Sequence, residues 1–382
     1  MKVCVVSSSR ADYNHLYPLL TKLRKAKGIR LQIIVTGMHL LKKYGYTYNE
    51  IIRDGFKIDR KIPNHQKSTK DKEIVNAISR PLVPIANTFD KLKPDMVIIL
   101  GDRYDVYPVA IVTHIMQIPL AHIHGGEVTS GVIDDGIRHS ITKLANIHFV
   151  ATNEFKKRVT AMGEHKDLVI NIGSLGIKGN KEIKNISKKV ILKKLKINLY
   201  KDYFIITLHP ETINESNLIN VTNLLKTLSL FKGYYFVFTG SNSDTDSDMI
   251  VKKIQKYVSQ NMSQSIFINS LGRELYVNMM KHAALIIGNS SSGLIEAPSL
   301  KTATVNIGNR QTGRPLSKSV FNSTNTVNNI KKAINSALKY RFSKNTDKPA
   351  YQGAKSIDFI IKKILTVDRE KLLKKKFYDL SM

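Results

Sequence analysis

"ALIIGNSSSGLIEAPSL", residues 284–300, passes from a short apolar run through a Gly-Asn-Ser-Ser-Ser-Gly turn into an apolar-periodic helical segment. An apolar run without polar alternation is what a strand covered on both faces requires, and a parallel strand feeding a helix is its usual setting. The turn predicts Ser290, Ser291 and Ser292 at or near a helix N-terminus, where unpaired backbone N–H groups, the positive end of the helix dipole and hydroxyl donors combine. A phosphate or diphosphate suits that position; an ordinary serine cap is the plain alternative. Glu296, about one turn further on, is placed to accept hydrogen bonds from vicinal hydroxyls such as those of a ribose.

The same strand-to-turn grammar recurs on both sides of this stretch. "KVCVV", "LQIIVTG", "DMVIILG", "LAHIHGG" and "HFVAT" form one series, and "YFIITLHP", "YYFVFTG", "SIFINS", "ALIIGNS" and "ATVNIG" form a second, with helical segments between. Two such series in 382 residues predict an α/β protein of two doubly wound, Rossmann-like domains. The glycines of "INIGSLGIKGN" mark a hinge, so the expected boundary lies near residue 175, giving domains 1–175 and 176–382. Ligands of such sheets bind at the carboxyl ends of the strands, and the polar clusters of both series follow strands, which points to a cleft between the domains.

Composition narrows the classes. With 42% hydrophobic and 24% charged residues the chain reads as globular, and its one cysteine, Cys4 in "VCVV", is a core residue in a chain with no internal disulfide. The N-terminal apolar run is too short for a signal peptide and no stretch reaches the roughly 20 apolar residues of a membrane span, so a cytoplasmic protein without membrane partners is expected. Lys and Arg outnumber Asp and Glu by 60 to 30. Much of this charge lies in "KGNKEIKNISKKVILKKLKINLYK" and "REKLLKKKF"; in the former Ile183, Ile186, Val190, Ile191 and Leu195 follow a helical period that leaves lysines outside. No RNP-like aromatic motif, zinc spacing or basic zipper accompanies it, so the excess reads as solvated helix faces rather than a nucleic-acid surface. A positive field would still gather an anionic small substrate.

"HIHGGEVTSGVIDDGIRHSI", residues 122–141, holds His122, His124, Glu127, Asp134, Asp135, Arg138 and His139. Acids and imidazoles around glycines are what proton transfer requires. A metal site competes, because His122 and His124 would alternate along a strand onto one face, but the spacing fits no standard ligand set, and no metal is expected. "SSSRADY" sets Arg10 after the first strand, "GDRYD" sets Asp102 and Arg103 after "MVIIL", and "TLHPET" sets His209 after the second series' first strand. "FTGSNSDTD" contributes Gly240 and Asn242, and "NIGNRQTGRP" contributes Arg310 and Arg314, two guanidiniums suited to a diphosphate clamp. The absence of GxGxxG counts against a dinucleotide cofactor.

Together "SSSRADY", "VTGMHL", "ILGDRYD", "HIHGGE", "DDGIRHSITKLA", "LHPET", "GNSSSGLIEAPSL" and "NIGNRQTGR" resemble, in colinear order from Val3 to about Pro315, the hydrolysing UDP-N-acetylglucosamine 2-epimerases of bacterial sialic acid synthesis. The resemblance implies a GT-B-like fold with a C-terminal helix at about 354–382 crossing back to the first domain, a dimer or tetramer, and no cofactor. It implies hydrolysis of UDP-N-acetylglucosamine to UDP and N-acetylmannosamine, by elimination of UDP across C1 and C2 and hydration of 2-acetamidoglucal. Asp102, His124, Glu127, Asp134 and His209 become the catalytic candidates. Arg10, Asn14, His39, Arg103, Asp135, Arg138, His139, Gly240, Asn242, Ser290, Ser291, Ser292, Glu296, Arg310 and Arg314 become the candidates for binding substrate and UDP, with the acid–base groups in the first domain and UDP on the second. Some relatives carry a carboxylate where this chain has His124, which leaves His124, Glu127 and Asp134 open as the base at C2. "GDRYD" and "HIHGGE" favour the hydrolysing over the non-hydrolysing branch. UDP-N,N'-diacetylbacillosamine as substrate, and a GT-B UDP-sugar glycosyltransferase, are the alternatives.

Overall fold

Side chains alternate faces along the first strand, and both faces are covered. Val3 and Val5 of β1 (Lys2–Ser7) pack with Leu16, Leu19, Leu20 and Leu23 of the helix Arg10–Lys25, whereas Cys4 and Val6 turn to the other face and join Ile85 and Phe89 of the helix Leu82–Leu92. The structure is a computed structural model and describes residues 1–379 except 66–67, 69, 130–132, 181, 198–200, 211–216, 241–246, 270, 344–346 and 354.

Among the described residues the first sheet adds β2 (Arg30–Thr36), β3 (Arg60–Ile62), β4 (Met96–Leu100), β5 (Leu120–Ile123), β6 (Ile147–Val150) and β7 (Val169–Asn171) in the order β3-β2-β1-β4-β5-β6-β7. Every pair is parallel, with Val5 opposite Ile33 on one side and Ile98 on the other. The second contains β8 (Asp202–Thr207), β9 (Tyr234–Thr239), β10 (Ser265–Ile268), β11 (Leu285–Gly288), β12 (Thr304–Ile307) and β13 (Val320–Ser323), also parallel, ordered β10-β9-β8-β11-β12-β13. Winding reverses between β1 and β4 and again between β8 and β11, which are the crevices where an open α/β sheet takes its ligand. This is the α/β, GT-B-like architecture of two doubly wound halves.

Contacts group residues Met1–Glu127, Ile133–Gly179 and Tyr351–Met382 into a first unit, and Val128–Val132 with Asn180–Ala350 into a second. The boundary expected near residue 175 moves to the end of the helix Leu175–Asn180, whose Leu175, Gly176 and Ile177 are buried. The C-terminal segment is not one helix over 354–382. It forms Ile357–Thr366 and the short Arg369–Leu373, and Ile357, Ile360, Ile361 and Ile364 complete the hydrophobic cluster of Leu16, Leu19 and Leu20.

The lysine-rich segment also departs from expectation. Its helix covers only Lys188–Lys194, and Val190, expected inward, is exposed. The buried Asn278 accepts from the Ile186 N–H at 2.9 Å and donates to the Lys184 carbonyl at 3.0 Å, which removes those residues from any helical ladder. Ile183 and Ile186 instead pack from irregular chain against the cluster of Tyr203 and Met279. Sequence reading missed β3, β7 and β13, which are short edge strands with partly exposed residues and so lack the apolar run that marks a central strand.

Candidate active site

In the first unit the turns after β1, β4 and β5 carry the polar groups. Ser9 caps the helix Arg10–Lys25, accepting from the Asp12 N–H, and Asp12 takes the Ser8 hydroxyl at 2.5 Å. Arg10 is half-buried at the first helical position, where a cation opposes the helix dipole, so helix stability does not explain it. Asn14 lies one turn on and is also half-buried. His39 sits beneath the serine turn: one ring nitrogen is 2.9 Å from the Ser7 hydroxyl, the other 2.8 Å from that of Thr47. Burial lowers its pKa to about 4, against the opposing pull of Asp12, so it is a neutral spacer under the turn.

Arg138, only 1% exposed on the helix Ile133–Leu144, is the hub of the cluster. Its guanidinium pairs with Asp102 and donates to Asp135 at 3.1 Å and to the Glu127 carbonyl at 2.9 Å. These three groups belong to three different segments, so one fork of donors aligns the turn after β4, the loop after β5 and the helix start. Asp134 is half-buried in the first helical turn, and His139 stands 3.6 Å from Asp135 with its pKa lowered, chiefly by burial. Arg103 turns the other way, to the buried Asp105 at 3.0 Å, which also accepts from Asn64 at 2.8 Å. Burial raises the Asp105 pKa, and Arg103 opposes it.

His124 and Glu127 lie 2.8 Å apart, 7% and 4% exposed. β5 ends at Ile123, and His124 adopts φ +65°, so it does not share a strand face with His122 as alternation predicted. A left-handed non-glycine backbone at such a pair is strain of the kind functional sites hold. The turn needs its glycines: a Cβ on Gly126 would meet Val159 at 2.6 Å. His122 points inward, donating to the Gly101 carbonyl at 2.8 Å, and burial lowers its pKa to about 3. Among the described residues no three His, Cys, Asp or Glu side chains group as metal ligands.

In the second unit the turns after β8, β11 and β12 converge on Asn289. Its side-chain amide accepts from the His209 N–H at 2.7 Å and donates to the His209 carbonyl at 2.8 Å, and its own carbonyl takes Gln311 at 2.8 Å and Arg310 at 3.3 Å. Gly288 precedes it at φ +134°, where a Cβ would stand 1.9 Å from the Thr207 carbonyl, so β8 and β11 close only around glycine. The helix Ser291–Ile295 that follows is five residues long, so its macrodipole is small and the turn's donors are its hydroxyls and local N–H groups. Glu296 lies 3.5 Å from the Asn180 amide. Arg314 closes the turn after β12, its backbone N–H donating to the Gln311 carbonyl at 3.3 Å, and its guanidinium donates to the Val128 carbonyl and Thr129 hydroxyl, each at 3.2 Å, within the same unit. Gly240 closes β9, its N–H donating to the Ile268 carbonyl at 3.3 Å, while Asn242 lies outside the described residues. Asn289, Gln311 and Asp105 carry no sequence signal of their own, although "GNSSSG", "NRQTG" and "GDRYD" set each of them beside or near a candidate site residue.

The profile of one protein family, UDP-N-acetylglucosamine 2-epimerase, matches residues 21–365. The chain belongs to this family. It is 39% identical over 345 residues to the GDP/UDP-N,N'-diacetylbacillosamine 2-epimerase (hydrolyzing) of Campylobacter jejuni, covering 90% of this chain and 89% of that one. It is 39% identical over 343 residues to the polysialic acid biosynthesis protein P7 of Escherichia coli, covering 89% and 87%. Among solved structures, the UDP-GlcNAc 2-epimerase of Neisseria meningitidis bound to UDP-GlcNAc superposes with a TM-score of 0.77 at 18% identity, covering 96% of this chain and all of that one, and so shares the fold. In this 2-epimerase family member the first unit holds the buried His124–Glu127 pair and the Asp102–Arg138 ion pair, and the second unit holds a polar turn rich in hydroxyls.

Proposed function

We propose that the chain is a hydrolysing 2-epimerase of a UDP-linked 2-acetamido sugar, with UDP-N,N'-diacetylbacillosamine the better-supported substrate and UDP-N-acetylglucosamine the second reading. The His124–Glu127 pair, buried at the end of β5, carries the reaction type: an imidazole and a carboxylate 2.8 Å apart can hold a proton and hand it on. The 39% identity to the Campylobacter enzyme, whose name carries its substrate, supports the first reading, and the identity to the polysialic acid biosynthesis protein P7 supports only a setting in sialic acid synthesis for the second.

On this reading the C1–O bond breaks and UDP leaves with the bonding pair, a base takes the C2 proton, and the resulting glycal adds water, with hydroxyl at C1 and a proton returned at C2 from the opposite face. C2–H is weakly acidic, so departure of UDP leads and stabilising the leaving diphosphate is the main catalytic contribution. Ser290, Ser291, Arg10, His209 and Arg310 take that role, and Glu296 takes the ribose. Asp102, held by Arg138, and the His124–Glu127 pair manage the protons at C2 and of the water, with Asp134 as the further carboxylate.

Proton NMR of the protein with each UDP-sugar in D₂O, without acceptor, tests this. Free 2-epimeric sugar deuterated at C2, with UDP, is expected, and the larger kcat/KM names the substrate. UDP release that requires a sugar acceptor would instead make the protein a glycosyltransferase.

A further inference from the structure

A line of hydroxyls runs into the serine turn from behind. The Tyr276 hydroxyl, on the helix Arg273–His282, lies 2.7 Å from that of Ser292, which lies 3.0 Å from that of Ser290. Behind Tyr276 the Thr207 and Thr239 hydroxyls, at the ends of β8 and β9, are 2.5 Å apart. Each hydroxyl has one hydrogen, so a chain of them has a direction, and the direction decides whether its last member offers a hydrogen or a lone pair.

The Tyr276 hydroxyl also bonds that of Thr207 and so stands inside the chain; a phenolic O–H is a stronger acid than an aliphatic one, and with Thr207 donating to it the phenol's own hydrogen goes to Ser292. If Tyr276 donates to Ser292, Ser292 donates to Ser290, and the Ser290 hydrogen is left for a ligand. The reverse direction would turn oxygen lone pairs towards an anion. Burial raises the Tyr276 pKa to about 12, with the bonds to Ser292 and Thr207 opposing, so the phenol keeps its hydrogen at neutral pH. Successive hydrogen bonds polarise one another, which strengthens the final donor.

We infer that Tyr276 is a positioning residue: through Ser292 it sets the direction of the hydroxyl chain so that Ser290 presents its hydrogen to the diphosphate of the nucleotide. The inference rests on the reading that the serine turn holds that diphosphate.

Titration with UDP and with uridine, followed by NMR, of the full chain and of Tyr276→Phe, Ser292→Ala, Ser290→Ala and the double variant Tyr276→Phe/Ser290→Ala tests it. Tyr276→Phe and Ser292→Ala should each weaken UDP by about fivefold, the worth of one hydrogen bond, and leave uridine unchanged. The double variant should bind UDP as Ser290→Ala does, because the chain acts through Ser290. Ser290→Ala weakening UDP while Tyr276→Phe does not would overturn the inference alone, as would full multiplicity in the double variant or equal weakening of uridine and UDP. Unchanged UDP affinity in Ser290→Ala would overturn the diphosphate reading of the turn, and the inference with it.

Discussion

At the scale of single residues, two charges decide most of the candidate site's behaviour. Asp102 sits half-exposed at the end of β4 with Arg138 behind it, so its isosteric amide keeps the shape and removes the proton acceptor. Asp102→Asn should lower kcat by about 10²-fold or more while UDP affinity stays within about twofold, in line with a group engaged in proton transfer; equal losses in both would make Asp102 a binding residue. Arg138 is different in kind, because it is buried against three partners. Arg138→Met should destabilise the protein by about 3 kcal/mol, since it leaves two carboxylates and a carbonyl without their cation, read as a shift of the urea midpoint. An unchanged midpoint would show that the guanidinium is not structurally needed.

At the scale of elements, the chain's last segment is tied to the first unit by charge as well as by isoleucines. Glu164, 2% exposed, accepts from Lys143 at 2.7 Å, Lys375 at 2.7 Å and His148 at 2.9 Å. Burial would raise its pKa, but these donors win and hold it at about 2; His148, with its own pKa lowered by burial, is neutral, so the two lysines provide the charge. A carboxylate depressed from an unfolded value of about 4.3 contributes stability above that pH and loses it as pH falls towards 2. Glu164→Gln should therefore flatten acid unfolding between about pH 4.5 and 2, followed by circular dichroism, and should raise hydrogen exchange in the segment around Lys375. An acid transition identical to that of the parent chain would remove this group from the account.

At the scale of the whole molecule, the two units should respond differently to nucleotide. UDP at about a hundred times its Kd stabilises the state that binds it by about 2.7 kcal/mol, so exchange should slow at the ends of β8 and β11 around His209 and Asn289; slowing confined to the first unit would reverse the assignment of UDP to the second. Alternating strands and helices, the two series of strands and the turns that carry Arg10, Asp102, His209 and Ser290 were legible in the sequence, because each is written in apolar runs and turn residues that are local along the chain. Partnership was not. Arg138 reaches Asp102 across 36 residues and Asn289 reaches His209 across 80, and those separations close only through the order in which strands pair. The same holds for the lysine-rich helix, which read as longer because Ile183 and Ile186 keep its period, until Asn278 claimed the backbone between them from a distant helix. Local periodicity thus determined the elements, and only the tertiary structure decided which charges face one another, since a buried polar group takes whichever partner the packed sheet brings within hydrogen-bond reach.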